Sequence, residues 1–389
     1  MDAKVVIAGG GLVGALTALM LAKQHPDWPI VVVEPRAEGP PDDKRIIALA
    51  AASAKRLTAL GVLTDTQQQT PIEHIHISDR GYIGATELHA TTQRVDALGV
   101  VVPAAALVQT LYQQCQQLSN IEWLSGSRVH EIEQQQDYVQ VTTSESRQIK
   151  AELLVGADGQ NSFVRETLGL PSDIEDYGQI GCIATVTLDR SLAGWAYERF
   201  TEDGPIALLP MPNNQASLVW TFNTEQAQDA KNWHDDYFLE ACQKAFGYRA
   251  GAMRSVSERV FYPLQLRRAK RNIHHRCVII GNASHALHPI AGQGFNLGLR
   301  DVETLTELLQ DSSDPGTFPV LSAYQQQRAK DYQSIINLTD LLVRGFSNRY
   351  LPMVLPRNLA LLGLQHLAPV KSEFARLTMG MKAGGQINE

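Results

Sequence analysis

Cysteine is scarce in this sequence: Cys115, Cys182, Cys242 and Cys277 are the only four in 389 residues, and no two form a CxxC pair. That scatter excludes a disulfide frame and a zinc ribbon, and fits reduced thiols in structural roles. Long apolar runs are also lacking. The longest extends only from Ala97 to Val108 and contains Gly99 and Pro103, too short and too broken to span a bilayer. The opening residues lack the basic stretch, apolar core and cleavage site of a signal peptide, so no export is expected and a cytoplasmic location follows. Basic charge is not in excess. With 34 Lys and Arg against 41 Asp and Glu, the net charge of -7 excludes nucleic acid as the main partner. No GxSxG elbow, P-loop or HExxH occurs, which removes the usual sites of hydrolases, kinases and zinc proteases. What remains is an ordinary globular composition, 44% hydrophobic and 19% charged, long enough for two or three domains.

The chain begins with an apolar strand at residues 4 to 8 that stops at a glycine cluster. Leu12, Leu16, Leu19 and Leu21 then follow at helical spacing, and a second apolar run, Ile30 to Val33, ends at Glu34. This is a strand–helix–strand unit, for which a parallel sheet is expected. Ile46 to Leu60 reads as a helix, His74 to Asp79 and Glu87 to His89 as strands, and Leu107 to Leu118 as a helix. Four strand-like runs lead from Ile121 to Gly156. Between about 172 and 270 the period changes to two, predicting an antiparallel sheet. A buried strand at Cys277 to Ile280 and a helix at Leu297 to Leu309 return to the first pattern. From Tyr324 onward the chain reads as helical, with Tyr332, Ile335, Ile336, Leu338, Leu341, Leu342 and Phe346 mostly on one face; the apolar segment Tyr350 to Leu367 that follows is broken by Pro352 and Pro356. Core packing is the expected use of these apolar positions, ahead of a membrane surface or a partner.

Gly9, Gly11 and Gly14 form GxGxxG between the first strand and helix, and Glu34 stands at the end of the second strand. Gly9 permits the tight turn, Gly11 lets backbone approach a pyrophosphate, and Gly14 allows close packing of helix on strand. The helix N-terminus supplies positive potential to the phosphates, while the acid accepts ribose hydroxyls. Dinucleotide binding is therefore expected, with an unphosphorylated ribose such as FAD or NAD offers.

Two further segments choose between those cofactors. The first is GADGxxSxxR, carrying Asp158, Gly159, Ser162 and Arg165. The second starts at Gly281 and Asn282 and continues through His285, Pro289, Gly292, Gly294 and Asn296 into a helix. They resemble the DG and GD motifs of the flavoprotein aromatic hydroxylases similar to para-hydroxybenzoate hydroxylase. The chain departs from the second motif at Asn282, where that family usually has Asp; a neutral amide still reaches a ribityl hydroxyl. Nearly the whole chain resembles the ubiquinone-biosynthesis hydroxylases within this group, through Leu98 to Pro103, GPIALLPM at 204 to 211, SLVWT at 217 to 221 and HPIAGQGFNLGLRD at 288 to 301. The polyprenyl methoxyphenol hydroxylases are the best match, with the sister ring hydroxylases next.

The resemblance implies a Rossmann-like FAD-binding domain with a parallel sheet (1–70, 98–171 and 272–325), an antiparallel substrate domain (71–97 and 172–271) and a C-terminal helical segment (326–389). It implies FAD as cofactor, NAD(P)H as co-substrate, and hydroxylation of a polyprenyl phenol by O2 through a flavin hydroperoxide. Arg45 would reach the cofactor, Arg36 stands beside Glu34, and Val129 would meet the adenine. Pro289 and Gly292 would lie near the flavin ring, and Ala104 offers no polar group where relatives often have one. No dedicated catalytic side chain is named, because the flavin bears the chemistry. A metal held by His285 and His288 is disfavoured, since the segment is a loop without further ligands. Peripheral contact with the inner membrane, a biosynthetic complex and a homo-oligomer are compatible with the apolar C-terminal helices. The rival readings are an NAD-dependent dehydrogenase, a flavin-dependent epoxidase or reductase of another lipid, and a non-catalytic flavoprotein assembly factor.

Overall fold

Strand β1 (Ala3–Ala8), helix α1 (Leu12–Gln24) and strand β2 (Ile30–Glu34) form the expected opening unit in a computed structural model that describes residues 1–40, 43, 45–65, 68–287, 292–346 and 351–380. Then come β3 (Ile46–Ala50), α2 (Ala51–Ala59), β4 (Thr70–Ile72), β5 (His74–Asp79) and β6 (Ala85–His89). Next are α3 (Ala90–Gln93), β7 (Gly99–Pro103), α4 (Ala104–Gln116) and β8 (Ile121–Ser125). β9 (Val129–Gln134), β10 (Val139–Thr143), β11 (Gln148–Gly156) and α5 (Phe163–Thr167) complete the first part.

The middle contains β12 (Ser172–Leu188), β13 (Trp195–Thr201), β14 (Gly204–Pro210), β15 (Gln215–Asn223), α6 (Thr224–Ala230), α7 (Asp235–Phe246), β16 (Met253–Val256) and β17 (Val260–Ala269). β18 (Ile273–His274), β19 (Cys277–Ile279), a single turn at Gly281–Ala283 and β20 (His285–Ala286) lead to α8 (Gln293–Leu309). Three helices end the chain: α9 (Phe318–Phe346), α10 (Leu351–His366) and α11 (Ala368–Thr378).

One sheet runs β18-β19-β11-β1-β2-β8, with β9 and β10 continuing from β11, and its centre is parallel. Helix α1 is buried nearly all round because the sheet lies on one side of it and α4 and α8 on the other, which explains why its apolar residues exceed one stripe. A second sheet, β20-β17-β12-β15-β14-β13-β5-β6 with β16 on β12, is antiparallel except where β13 runs parallel to β5. Alternation gives it two faces. Cys182, Leu208, Leu218 and Trp220 turn towards α6 and α7; Ala196, Phe200 and Leu209 turn the other way, towards the C-terminal helices and the third sheet. That third sheet is small, β3-β7-β4, and antiparallel.

Three expectations need correction. Ile46 to Leu60 is not one helix: residues 46–50 form β3, because β7 offers them a partner and Gly99 lets the Leu49 carbonyl approach within 2.4 Å of where a Cβ would stand. The period-two region also contains α6 and α7. Their signals were present, since the Asn223 side chain caps α6 by accepting from Gln226 and two aspartates open α7. Finally, α10 is continuous through Pro356; the helix forgoes one hydrogen bond there rather than breaking.

Candidate functional site

The β1–α1 turn is built as the sequence requires. Gly9 has φ 96°, and a Cβ on it would lie 2.6 Å from the Ala157 carbonyl oxygen and 3.0 Å from Asp158 Cα. A Cβ on Gly14 would lie 1.9 Å from the Gly9 oxygen, so helix and turn touch only because both residues are glycine. Gly11 differs: no heavy atom comes within 4 Å of its Cβ position, leaving open space at the start of α1. Glu34 is 6% exposed and has a task the sequence did not reveal, because Oε2 accepts from the Gly10 N–H at 2.7 Å and Oε1 from the Arg36 N–H at 3.0 Å. The carboxylate pins the glycine loop and keeps lone pairs for ribose hydroxyls. Arg36 itself points outward, with Nε donating to the Glu38 carbonyl. Val129 opens β9 just beyond Ser127, whose N–H donates to the Glu34 carbonyl and whose buried Oγ has no partner among the described residues.

The second motif lies against the first through Gly9. Asp158 Oδ2 accepts from the Val164 N–H at 3.0 Å, while its buried Oδ1 is unpartnered among the described residues. Gly159 (φ 85°) borders open space. Ser162 caps α5 by accepting from the Arg165 N–H. Arg165 is 2% exposed, and its guanidinium is held inside the protein: Nη1 donates to the Ala283 carbonyl at 2.9 Å and Nη2 to that of Gln160 at 3.0 Å. Burial and the nearby Arg267 lower its pKa. Arg165 therefore joins the second motif to the third.

The third motif packs on the first as well. Gly281 and Gly298 each present their Cβ position 3.0 Å from Val13 Cγ2 on α1. Asn282, on the single turn, is exposed. Gly292 precedes α8 in the left-handed conformation (φ 61°), with Ala48 Cβ 3.1 Å from its Cβ position, and Gly294 meets nothing. Asn296 is taken up by backbone: Oδ1 accepts from the Ala50 N–H, and Nδ2 donates to the carbonyls of Ala48 and Gly292. It fixes the start of α8 against β3. Pro289 and His288 lie outside the described residues.

Sequence reasoning missed the group that holds the third motif in place. Asp301 on α8 is fully buried and accepts from four donors: the Gly281 N–H at 2.9 Å, His285 Nε2 at 2.9 Å, Arg328 Nε at 2.7 Å and Tyr332 Oη at 2.7 Å. Burial would raise its pKa, but His285 and Arg328 outweigh burial and hold it at about 2. The aspartate is visible at the end of the HPIAGQGFNLGLRD stretch, yet its cationic partner comes from α9 and no local spacing announces it.

Arg45 is half-exposed, pairs with Asp43, and faces Tyr262 of β17. Ala104, at the start of α4, is buried. Among the described residues no cluster of three metal-ligating side chains exists. The four cysteines are buried and unpaired, and burial pushes the thiols of Cys115, Cys182 and Cys277 up to about 12. They are not thiolates near neutrality.

Three remote glycine-rich segments thus touch one another, with an open helix N-terminus, a ribose-ready acid and an Asp158 oxygen that has no partner among the described residues. These features fit FAD, whose pyrophosphate, ribose and ribityl hydroxyls call for each of them. The FAD binding domain family matches residues 2–339. Ubiquinone hydroxylase UbiL of Rhodospirillum rubrum is 35% identical over 97% of this chain and 90% of its own length. The 3-demethoxyubiquinol 3-hydroxylase of Escherichia coli is 30% identical over 97% of this chain and 98% of its own. The crystal structure of p-nitrophenol 4-monooxygenase PnpA from Pseudomonas putida shares the fold, with TM-score 0.82, 21% identity, and coverage of 98% of this chain and 99% of that one. The chain belongs to the FAD binding domain family, in the flavoprotein hydroxylase branch that includes these two ubiquinone hydroxylases.

Proposed function

We propose that this protein is an FAD-dependent monooxygenase that hydroxylates the aromatic ring of a polyprenyl phenol in ubiquinone biosynthesis, using NAD(P)H and O2. The observation that carries the reading is the meeting of the three motifs through Gly9, Arg165 and Val13, in a chain alike over nearly its full length to ubiquinone hydroxylases. When bound, FAD supplies the redox chemistry and the activated oxygen. The protein's residues would hold and orient it: Gly11, the α1 N-terminus and the Asp158 segment the pyrophosphate region, Glu34 the ribose, Val129 the adenine, Asn282 the ribityl chain, and Gly292 and Gly294 the flavin edge. Arg165, Asn296 and Asp301 fix those backbones from behind.

The segments 1–70, 98–171 and 272–325 serve as the FAD-binding unit, and 71–97 with 172–271 as the substrate unit. Among the described residues no helix is long and apolar enough to cross a membrane. Leu355, Leu359, Leu367 and Val370 on or beside α10 and α11 are more than half exposed, which supports peripheral contact of this end with a lipid surface or with partner enzymes. The test is to delete the gene and identify the accumulated intermediate by mass spectrometry. A polyprenyl phenol lacking one ring oxygen is expected; unchanged ubiquinone and no new phenol would refute the reading.

A further inference from the structure

The face of the large sheet that turns away from α6 and α7 is mostly buried, but one row across it is not. The backbone registers place Ile183, Val219, Ala207, Glu198 and Ile77 side by side on β12, β15, β14, β13 and β5. All five are half-buried, whereas Ala196 and Phe200, which flank Glu198 on the same face, are fully buried, as are Ser217 and Thr221 around Val219. The row is therefore the floor of a groove. It is apolar apart from a single carboxyl, and that carboxyl has no hydrogen bond or ion pair among the described residues.

The groove runs beside the candidate flavin edge. Ala196 and Leu209 of this face share one apolar cluster with Ala48, and Ala48 is the residue that lies against Gly292. Tyr262 lies over Gly181 on the same face and is faced by Arg45 from the loop before β3. The geometry points to Glu198 as the catalytic base that accepts the phenolic proton of the substrate, an inference that rests on the hydroxylase reading above. An aromatic ring with an apolar tail fits the row Ile183, Val219, Ala207 and Ile77, and its hydroxyl would then meet the row's carboxyl, flanked on the same face by the hydroxyls of Ser217 and Thr221, which also lack partners among the described residues. In the step, the phenolic O–H bond breaks, the proton passes to a Glu198 carboxylate oxygen, and the electron pair stays on the phenolic oxygen. The pair is delocalised into the ring, enriching the carbon to be hydroxylated; no oxidant enters this step.

Burial in the groove raises the Glu198 pKa to about 8, with no charged neighbour contributing. Asp79, the nearest acid along β5, is held by Arg357 and Asn358 of α10, and burial pushes the Tyr262 hydroxyl up to about 12. Tyr197 and Arg199, adjacent on β13, project to the opposite face, near His76 and Arg249. Among the described residues facing this groove, Glu198 is thus the group whose pKa lies nearest neutral, close to the best value for a base working there.

The test uses the FAD-loaded enzyme with 2-geranylphenol and its methyl ether, which lacks the proton. In the absence of NAD(P)H, the affinity of the wild type for the phenol is expected to tighten by roughly tenfold or more as pH rises through about 8, since a carboxylate accepts more strongly than an acid. The ether should show no such tightening, and neither ligand should in Glu198→Gln. With NAD(P)H, hydroxylation should rise about tenfold per pH unit below 8 in the wild type. Glu198→Gln should lose roughly a hundredfold or more in kcat together with that limb, and Glu198→Asp should recover part of both. Flavin absorbance and melting temperature report whether each variant is intact; if Glu198→Gln fails to fold, the Asp variant's partial loss with retained limb is the supporting result. The inference is overturned if an intact Glu198→Gln keeps the wild-type rate and pH limb, or if phenol and ether respond alike to pH. A wild type that neither binds nor hydroxylates the phenol overturns the hydroxylase reading, and this inference with it.

Discussion

Replacing Asp301 by Asn removes a charge on which four donors converge, and leaves Arg328 buried with its Nε facing a neutral amide. The carboxylate is 0% exposed and the Arg328 side chain 4%, so water does not take over as partner. Breaking a buried pair from one side costs about 3–5 kcal/mol, most of it the uncompensated charge that stays behind. The remaining contact of Arg328 with Asp331 moves the expectation to the lower part of that range. The loss has a second consequence: the Gly281 N–H is the tie between Asp301 and the single turn that presents Asn282, so the third motif loosens. Urea unfolding of the apoprotein, followed by tryptophan fluorescence, should show the lower stability, and FAD titration should show at least about a tenfold weaker Kd, equivalent to about 1.4 kcal/mol. A variant within about 1 kcal/mol of wild type, with unchanged FAD affinity, would refute the idea that Asp301 anchors the site.

Acid should expose the same aspartate by pH alone. Its folded pKa is depressed to about 2 from 3.8, so its contribution of about 2 kcal/mol is present above pH 4 and lost as pH falls towards 2; acid unfolding of Asp301→Asn should lack this component. Gly14→Ala and Gly11→Val separate fold from cofactor: the first drives a methyl into the Gly9 oxygen and should abolish soluble folded protein, whereas the second, in open space, should leave apoprotein melting within a few degrees while FAD binding falls at least tenfold. Asp79→Ala removes the carboxylate through which the buried Arg357 ties α10 to β5 at 2.8 Å, leaving the guanidinium its bonds to the Gly345 and Phe346 carbonyls. Limited proteolysis should then cut near the start of α10 much faster than in wild type, and equal cutting rates would deny the anchoring role.

The parts of the fold that were legible are those set by local spacing. The strand–helix–strand opening, the period-two strands and the Leu297 to Leu309 helix each declare themselves within a dozen residues, and the three glycine motifs name their own backbone conformations. Residues 46–50 were misread because IIALA followed by AASAKRL is an unbroken helical pattern; only a distant partner strand, Gly99–Pro103, pulls its first half into a sheet. Asn296 and Arg165 were legible as site residues but not in their tasks, since each turned out to fasten backbone rather than to project into the opening. Glu198 gave no signal at all. It is one acid in WAYERFT, and only the register of five strands makes it the lone polar group in an apolar row.

A crystal structure of the FAD-loaded protein would show whether the three separated glycine-rich segments enclose one FAD. A single FAD is expected, with its pyrophosphate against Gly11, its ribose on Glu34 and its isoalloxazine ring beside Gly292 and Gly294. A protein that takes up no flavin, or a flavin seated away from these three segments, would rule this cofactor site out.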